Sequence, residues 1–240
     1  MRTKVYHITF HSAFSSACLF FYGCNFSCKG CLRKIYLYDC HLEENYPKEA
    51  KIRFLSVEEI INLLSKVTPE EIIFEGWEPT MDRNLKEVAK VIKKEIGSYT
   101  LLLTNGYLFP PFDAFDEIKI SIKAYNEKIH EEYTGMSNKN VLANFKKTYE
   151  ETSAKISAET VLIPEYVDTM EIKKIADFIA SVDENIPLRI DSYWSIASRE
   201  WQAPTKEEMY AAVKEAKKYL KNVYFLAGDE SIKGEVIKVI

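Results

Sequence analysis

The stretch Ala17-Cys18-Leu19-Phe20-Phe21-Tyr22-Gly23-Cys24-Asn25-Phe26-Ser27-Cys28-Lys29-Gly30-Cys31 sets an apolar run directly before three clustered cysteines. Residues 16–22 read as a buried strand, so the cysteines occupy the loop at its carboxyl end. Three thiolates so close together can hold three irons of a four-iron cubane and leave the fourth iron without a protein ligand. The same sulfurs, with Cys40 or His41 as a fourth ligand, can close a tetrahedral zinc site. Spacing alone leaves both metals open.

Downstream, short β-rich runs recur at 71–74, 99–103, 117–122, 156–163, 187–190 and 222–226, separated by stretches with helical apolar spacing at 56–66, 83–96, 139–152, 169–182 and 205–220. Ser56 with Glu59 and Thr205 with Glu208 read as capping boxes. Repeated β-then-α order predicts an α/β fold with a parallel sheet. About six units are too few for a closed eight-unit barrel, so the expectation is a partial (β/α)6 TIM-like barrel forming a single domain over 1–240, with its site at the carboxyl ends of the strands. Residues 33–51 lack periodicity and read as an extended loop beside the cysteines, a candidate cover for the site.

Lys and Arg total 32 against 36 Asp and Glu, a formal charge of −4, which gives no basic field to attract a nucleic-acid backbone. Nucleic acid is not an expected partner. No apolar stretch is long enough to span a bilayer and the first residues lack a signal-peptide core, so a cytoplasmic protein with no membrane association is expected. The five cysteines form an odd set with three clustered, which suits a metal site in a reducing compartment better than a disulfide framework.

Each expected strand end carries polar residues. Strand two runs into Phe74-Glu75-Gly76-Trp77-Glu78-Pro79, strand three into Thr104-Asn105-Gly106, and strand four into Ser121-Ile122-Lys123. Further on come His130-Glu131-Glu132-Tyr133-Thr134-Gly135-Met136-Ser137-Asn138, then Ile163-Pro164 through Asp168, and Arg189-Ile190-Asp191. Arg189 and Asp191 alternate, so they share a face and can form a structural ion pair. His130 reads as a packing residue and not as a base.

In this order the motifs resemble those of the radical S-adenosylmethionine (SAM) enzymes. The C-x-x-x-C-x-x-C loop is similar to their cluster loop, which implies Cys24, Cys28 and Cys31 as ligands of a [4Fe–4S] cluster whose open iron binds the amino and carboxylate groups of SAM. Gly76-Trp77-Glu78-Pro79 resembles the Gly-Gly-Glu-Pro segment that receives the SAM ammonium, with Trp77 replacing the second glycine. By the same resemblance Thr104 and Asn105 lie near SAM, and Ser121 and Lys123 match an Asp-x-Lys strand end, with Lys123 facing the SAM carboxylate and Ser121 replacing the aspartate. The His130–Asn138 run is similar to the glycyl-radical-enzyme activating enzymes of the pyruvate formate-lyase type. Glu159 stands where these carry an arginine. Gly30 stands where many carry an aromatic residue near adenine, leaving Phe26, Tyr36 or Tyr38 as covers.

The resemblance implies reductive cleavage of SAM to methionine and a 5′-deoxyadenosyl radical for hydrogen abstraction. It implies a glycyl-radical-type protein substrate, an external flavodoxin- or ferredoxin-like electron donor, and a monomer. No acid–base dyad is required, and no catalytic side chain is assigned. A radical SAM enzyme acting on a small metabolite and a structural-zinc module are the competing readings.

Overall fold

The computed structural model describes residues 1–42, 52–195, 200–228 and 233–240. Within them the strands are β1 (Val5–His11), β2 (Ser16–Phe21), β3 (Glu71–Gly76), β4 (Tyr99–Thr104), β5 (Glu117–Ser121), β6 (Lys155–Leu162), β7 (Leu188–Ser192), β8 (Val223–Leu226) and β9 (Val236–Lys238). They form one sheet in the order β8-β7-β6-β5-β4-β3-β2-β1-β9. From β2 to β8 every neighbouring pair is parallel. β1 is antiparallel to both β2 and β9.

The crossover helices are α1 (Val57–Val67), α2 (Leu85–Ile96), the pair α3 (Glu127–Thr134) and α4 (Lys139–Glu151), α5 (Thr169–Ala180) and α6 (Lys206–Ala216). β4 passes to β5 through a short 3-10 turn, Phe112–Ala114, without an α-helix. The α/β partial-barrel expectation therefore holds, with additions at β1, β9 and α3. β1 carries no continuous apolar run, because His7, Thr9 and His11 alternate with Ile8 and Phe10. β9 is three residues long, and α3 is polar along most of its length.

Both expected capping boxes form. Ser56 and Thr205 accept from the backbone N–H of Glu59 and Glu208, and those carboxylates accept from the backbone N–H of Ser56 and Thr205. Each such cap stabilises its helix by about 1 kcal/mol. Alternate strand residues face the helices: Leu19 and Phe21, Ile72 and Phe74, Leu102, Ile118 and Ile120, Leu188 and Ile190 are buried against Ile60, Leu64, Val88, Ile92 and Ile175. Each fully buried side chain of this size contributes about 1.5–3 kcal/mol relative to exposure. This face fixes the register and sends the intervening residues to the concave side.

The concave face is filled partly by the segment after the cysteines. A 3-10 turn, Leu32–Lys34, leads away from Cys31. Arg33 lies over the Phe20 ring, 5.0 Å from its centroid, and its Nη1 donates to the Tyr38 carbonyl at 2.8 Å. Tyr38 then packs on His7, 4.8 Å between rings. The part of the expected cover loop within the described residues thus follows the inner face of β1. Residues 43–51 lie outside the described residues.

Candidate functional site

The cysteine loop leaves β2 at Phe21 and is seated on the end of α3. Ser27 and Lys29 donate their backbone N–H groups to the Thr134 and Tyr133 carbonyls at 2.8 and 3.0 Å. Helix ends leave carbonyls without partners, and these are met by the loop. Gly135 ends α3 in the left-handed region, φ 79°, where a Cβ would lie 2.7 Å from Ser27 Oγ. Thr134 Oγ1 donates to the His130 carbonyl at 2.8 Å, and His130 Nδ1 meets the Met136 carbonyl at 2.7 Å. Phe26 packs edge-on against His130, 5.4 Å between rings. Burial holds the His130 pKa down, and its ring is committed to packing, as the sequence suggested. The His-x-x-x-Thr-Gly run is the seat of the loop.

All five cysteines are free thiols. Burial pushes the Cys24 pKa up to about 12 and that of Cys28 upward, and the Cys28 and Cys31 charges add to the rise at Cys24. Metal binding here must release protons and leave thiolates that a positive centre stabilises. A tetrahedral zinc needs its sulfurs about 3.8 Å apart, from Zn–S bonds of about 2.3 Å. Among the described residues, the group of three or more His, Cys, Asp or Glu donors mutually within 4.8 Å is His11, Asp39 and His41, not the cysteines. A cubane takes each thiolate at a different iron, so it does not require the three sulfurs to meet at one ion. Cys40 and His41, the candidate fourth zinc ligands, lie with Asp39 and each other.

The strand ends around the loop are laced together. Gly76, at φ 109°, lies so close to β2 that an added Cβ would meet the Phe21 backbone N and O at 2.9 Å. Trp77 and Glu78 donate backbone N–H groups to the Phe21 and Gly23 carbonyls at 3.2 and 3.1 Å. The Trp77 ring packs against Tyr22, 5.5 Å between centroids, and joins the inner apolar cluster of Tyr6 and Phe20. Pro79 opens a 3-10 turn capped by Glu78. The buried Glu78 carboxylate accepts from Thr80 N and Oγ1, Thr104 Oγ1 and Asn105 N, at 2.6 to 3.0 Å. Burial pushes its pKa up, while these bonds oppose the shift. Three bonds fall on Oε1 and one on Oε2, so one acceptor position stays open on Oε2. Asn105 Nδ2 donates to Asn25 Oδ1 at 2.8 Å within the cysteine loop. The Asn25 amide nitrogen is buried without an acceptor. An unpaired donor beside the thiols fits a cluster sulfide or a bound ligand atom, because hydrogen bonds to sulfur tune such clusters.

Across the concave face, Ser121, Glu159 and Arg189 form one rung of the parallel ladder. Ser121 Oγ donates to Glu159 Oε1, and Arg189 Nη2 meets Glu159 Oε2 at 2.5 Å. Arg189 Nε also lies 2.9 Å from Asp191 Oδ1. The expected Arg189–Asp191 pair exists, and its larger partner is Glu159. Arg189 thus returns a cation to the level where the sequence places Glu159. Burial raises the Asp191 pKa and the neighbouring Glu159 charge adds to it; at Glu159, Arg189 and Lys123 outweigh burial and hold the pKa low. Lys123, half-buried past the end of β5, has no carboxylate within ion-pair distance among the described residues. Burial opposes its charge, yet Glu159, Cys28, Asp191 and Cys31 raise its pKa. This ammonium stands in the field of the cysteine loop.

Gly30 has no room for a side chain, since a Cβ would lie 2.6 Å from the Tyr193 ring and 2.9 Å from the Tyr133 hydroxyl. Those rings pack with Tyr166 and Trp201, which stack at 4.7 Å. The aromatic bulk expected at position 30 is supplied by other elements, which no local pattern discloses. Phe26 is buried, Tyr38 faces β1, and Tyr36 follows the 3-10 turn. In all, the fold brings Cys24, Cys28, Cys31, Gly76, Glu78, Thr104, Asn105 and Lys123 to the carboxyl ends of β2 to β5, with Ser121 one rung deeper and Trp77 turned into the apolar cluster.

Comparison with known proteins agrees with this fold. Residues 18–179 match the model of the Radical SAM superfamily. A Methanocaldococcus jannaschii protein named "Putative glycyl-radical enzyme activating enzyme" is 37% identical over 84% of this chain and 77% of its own length. A radical SAM methyltransferase from Sphaerobacter thermophilus shares the fold, with a TM-score of 0.68, 13% identity and coverage of 95% of this chain and 72% of the other. A domain of the pyruvate-formate lyase-activating enzyme from Bacteroides vulgatus superposes with a TM-score of 0.51 at 18% identity, over 59% of this chain and 89% of that one. No helix among the described residues is long and apolar enough to cross a membrane. The chain belongs to the radical SAM superfamily, the enzymes that cleave S-adenosylmethionine at a [4Fe–4S] cluster.

Proposed function

We propose that this protein is an activating enzyme: a cytoplasmic, monomeric, single-domain radical SAM protein that abstracts hydrogen from a backbone glycine of a protein partner. The observation that carries this reading is the seating of the cysteine loop on the Tyr133 and Thr134 carbonyls. It gives the His130–Asn138 run, which resembles activating enzymes, a physical task. The relative that is 37% identical bears an activating-enzyme name.

Cys24, Cys28 and Cys31 would hold the cluster, and the unpaired Asn25 amide would be a donor available to it. Lys123 receives the SAM carboxylate, while the open position on Glu78 Oε2 and the Asn105 turn receive the ammonium. Trp77 closes the wall behind β3 instead of touching SAM, and Ser121 orients Glu159. When bound, the reduced cluster supplies the electron that splits SAM into methionine and a 5′-deoxyadenosyl radical. The chain's own part is to fix the SAM charges, exclude water and leave the mouth open to a partner loop. A flavodoxin- or ferredoxin-like protein supplies the electron.

The test is isotopic. Reduced enzyme with SAM and a partner peptide deuterated at glycine Cα should yield deuterated 5′-deoxyadenosine and a persistent carbon-centred radical in electron paramagnetic resonance. Deuterium arriving only from a labelled small metabolite would replace the protein substrate with a metabolite.

A further inference from the structure

A second set of metal-ligand atoms converges at the other end of β2. His11 pairs with Ser16, the first residue of β2, whereas the cysteine loop follows Phe21, its last. That strand length is about 17 Å. His7, Thr9 and His11 occupy alternate positions on one face of β1. The segment after the cysteine loop meets them in turn: Tyr38 at His7, Asp39 at Thr9 and His41 at His11.

His11 Nε2 lies 3.7 Å from Asp39 Oδ2, and His41 Nδ1 lies 2.8 Å from Asp39 Oδ1. One ligand atom from each of the three residues falls within 4.8 Å of the others. Tetrahedral metal–N and metal–O bonds of about 2.0–2.2 Å require ligand edges of about 3.3–3.6 Å, so small side-chain adjustments bring these three atoms onto one ion and leave the fourth position to water. Asp39 is 3% exposed, and a carboxylate so far from water needs a cation or several donors. Thr9 Oγ1 donates to its Oδ2 at 2.9 Å and His41 N to its Oδ1 at 3.0 Å, the outer support that orients a ligating carboxylate. The imidazoles are 16% and 33% exposed, which leaves an approach for the ion.

We propose that His11, Asp39 and His41 bind a divalent first-row transition-metal ion, with zinc as the reference ion, in a site separate from the cysteine loop. Two imidazoles and a carboxylate suit such ions. The ion clamps the segment after the cysteines to β1. Cys40 Sγ lies 3.9 Å from the His41 ring nitrogens but outside the converging set, so the ligand shell contains nitrogen and oxygen and no sulfur.

The test uses tag-free, full-length protein with its iron–sulfur cluster reconstituted anaerobically, then equilibrated with zinc and dialysed. One zinc per chain is expected beyond the cluster iron, with an X-ray absorption spectrum fitted by nitrogen and oxygen scatterers alone. His11→Gln and His41→Gln should each lose the zinc and keep the iron, which reports that both variants fold. In the unmodified chain, zinc should raise the unfolding midpoint and a chelator should reverse the rise. Sulfur scatterers, zinc kept by both variants, or no zinc bound by the parent would overturn the proposal, the last leaving a structural ion pair only. Iron content, read in the same samples, reports separately on whether the cysteine loop holds its cluster.

Discussion

Asn105, in the turn after β4, donates its side-chain amide to Asn25 inside the cysteine loop at 2.8 Å, while its backbone N–H is held by Glu78 at 2.7 Å. The loop is thereby braced by two strand ends as well as by α3. Asn105→Ala removes the brace and leaves Asn25 without this partner. A lost partner in a buried site costs about 1–3 kcal/mol. The variant is expected to lose cluster iron to a chelator faster than the parent, measured by absorbance under anaerobic conditions.

Glu78 supports structure as well as a ligand. Its carboxylate gathers four donors from the ends of β3 and β4. Glu78→Gln turns one acceptor oxygen into a donor that faces donors. The expected loss of stability is about 1.5–3 kcal/mol, from charge-assisted bonds lost, read from urea unfolding. Lys123→Met, which removes no hydrogen bond within the described residues, should weaken SAM binding in calorimetry with a smaller change in stability.

Much of this was legible from sequence because β2 to β8 are apolar runs between amphipathic helices, and because Gly76, Glu78, Asn105 and Lys123 fall at strand ends. What was not legible came from distance and polarity. α3 hides because Glu127, Lys128, Glu131 and Glu132 dilute its apolar face, and its task appears only when Ser27 and Lys29 are seen to dock on it. The filling of the space beside Gly30 by Tyr133 and Tyr193 joins residues far apart in sequence. The Ser121–Glu159–Arg189 rung needs strand register, which a single sequence does not supply.

Arg189 balances two carboxylates, Glu159 and Asp191, on the concave face. Arg189→Met leaves both without their shared cation. Breaking such a pair by removing one partner costs about 3–5 kcal/mol. Unfolding measurements should show that loss, and Arg189→Met with Glu159→Gln together should cost less than the sum of the two single changes.

His7 supplies a pH dependence. It is fully buried, Nδ1 meets the Ile240 carbonyl, and burial lowers its pKa from 6.5 to about 4. A depressed folded-state pKa means that the unfolded chain takes up a proton first, so this stability is present above pH 6.5 and is lost as pH falls toward 4. Between pH 7 and pH 5 the loss from this group is about 2 kcal/mol. His7→Phe should flatten the stability profile over that interval, and an unchanged slope would remove His7 as its source.

The most direct test of the cluster assignment is 5′-deoxyadenosine formation by anaerobically reconstituted, dithionite-reduced protein supplied with SAM. The parent and Cys40→Ser should form it, whereas Cys24→Ala, Cys28→Ala and Cys31→Ala should each form none and fall short of the parent's iron content. Product formation at the parental rate in any of the three alanine variants, or stoichiometric zinc with no iron in the parent's cysteine loop, would contradict the account.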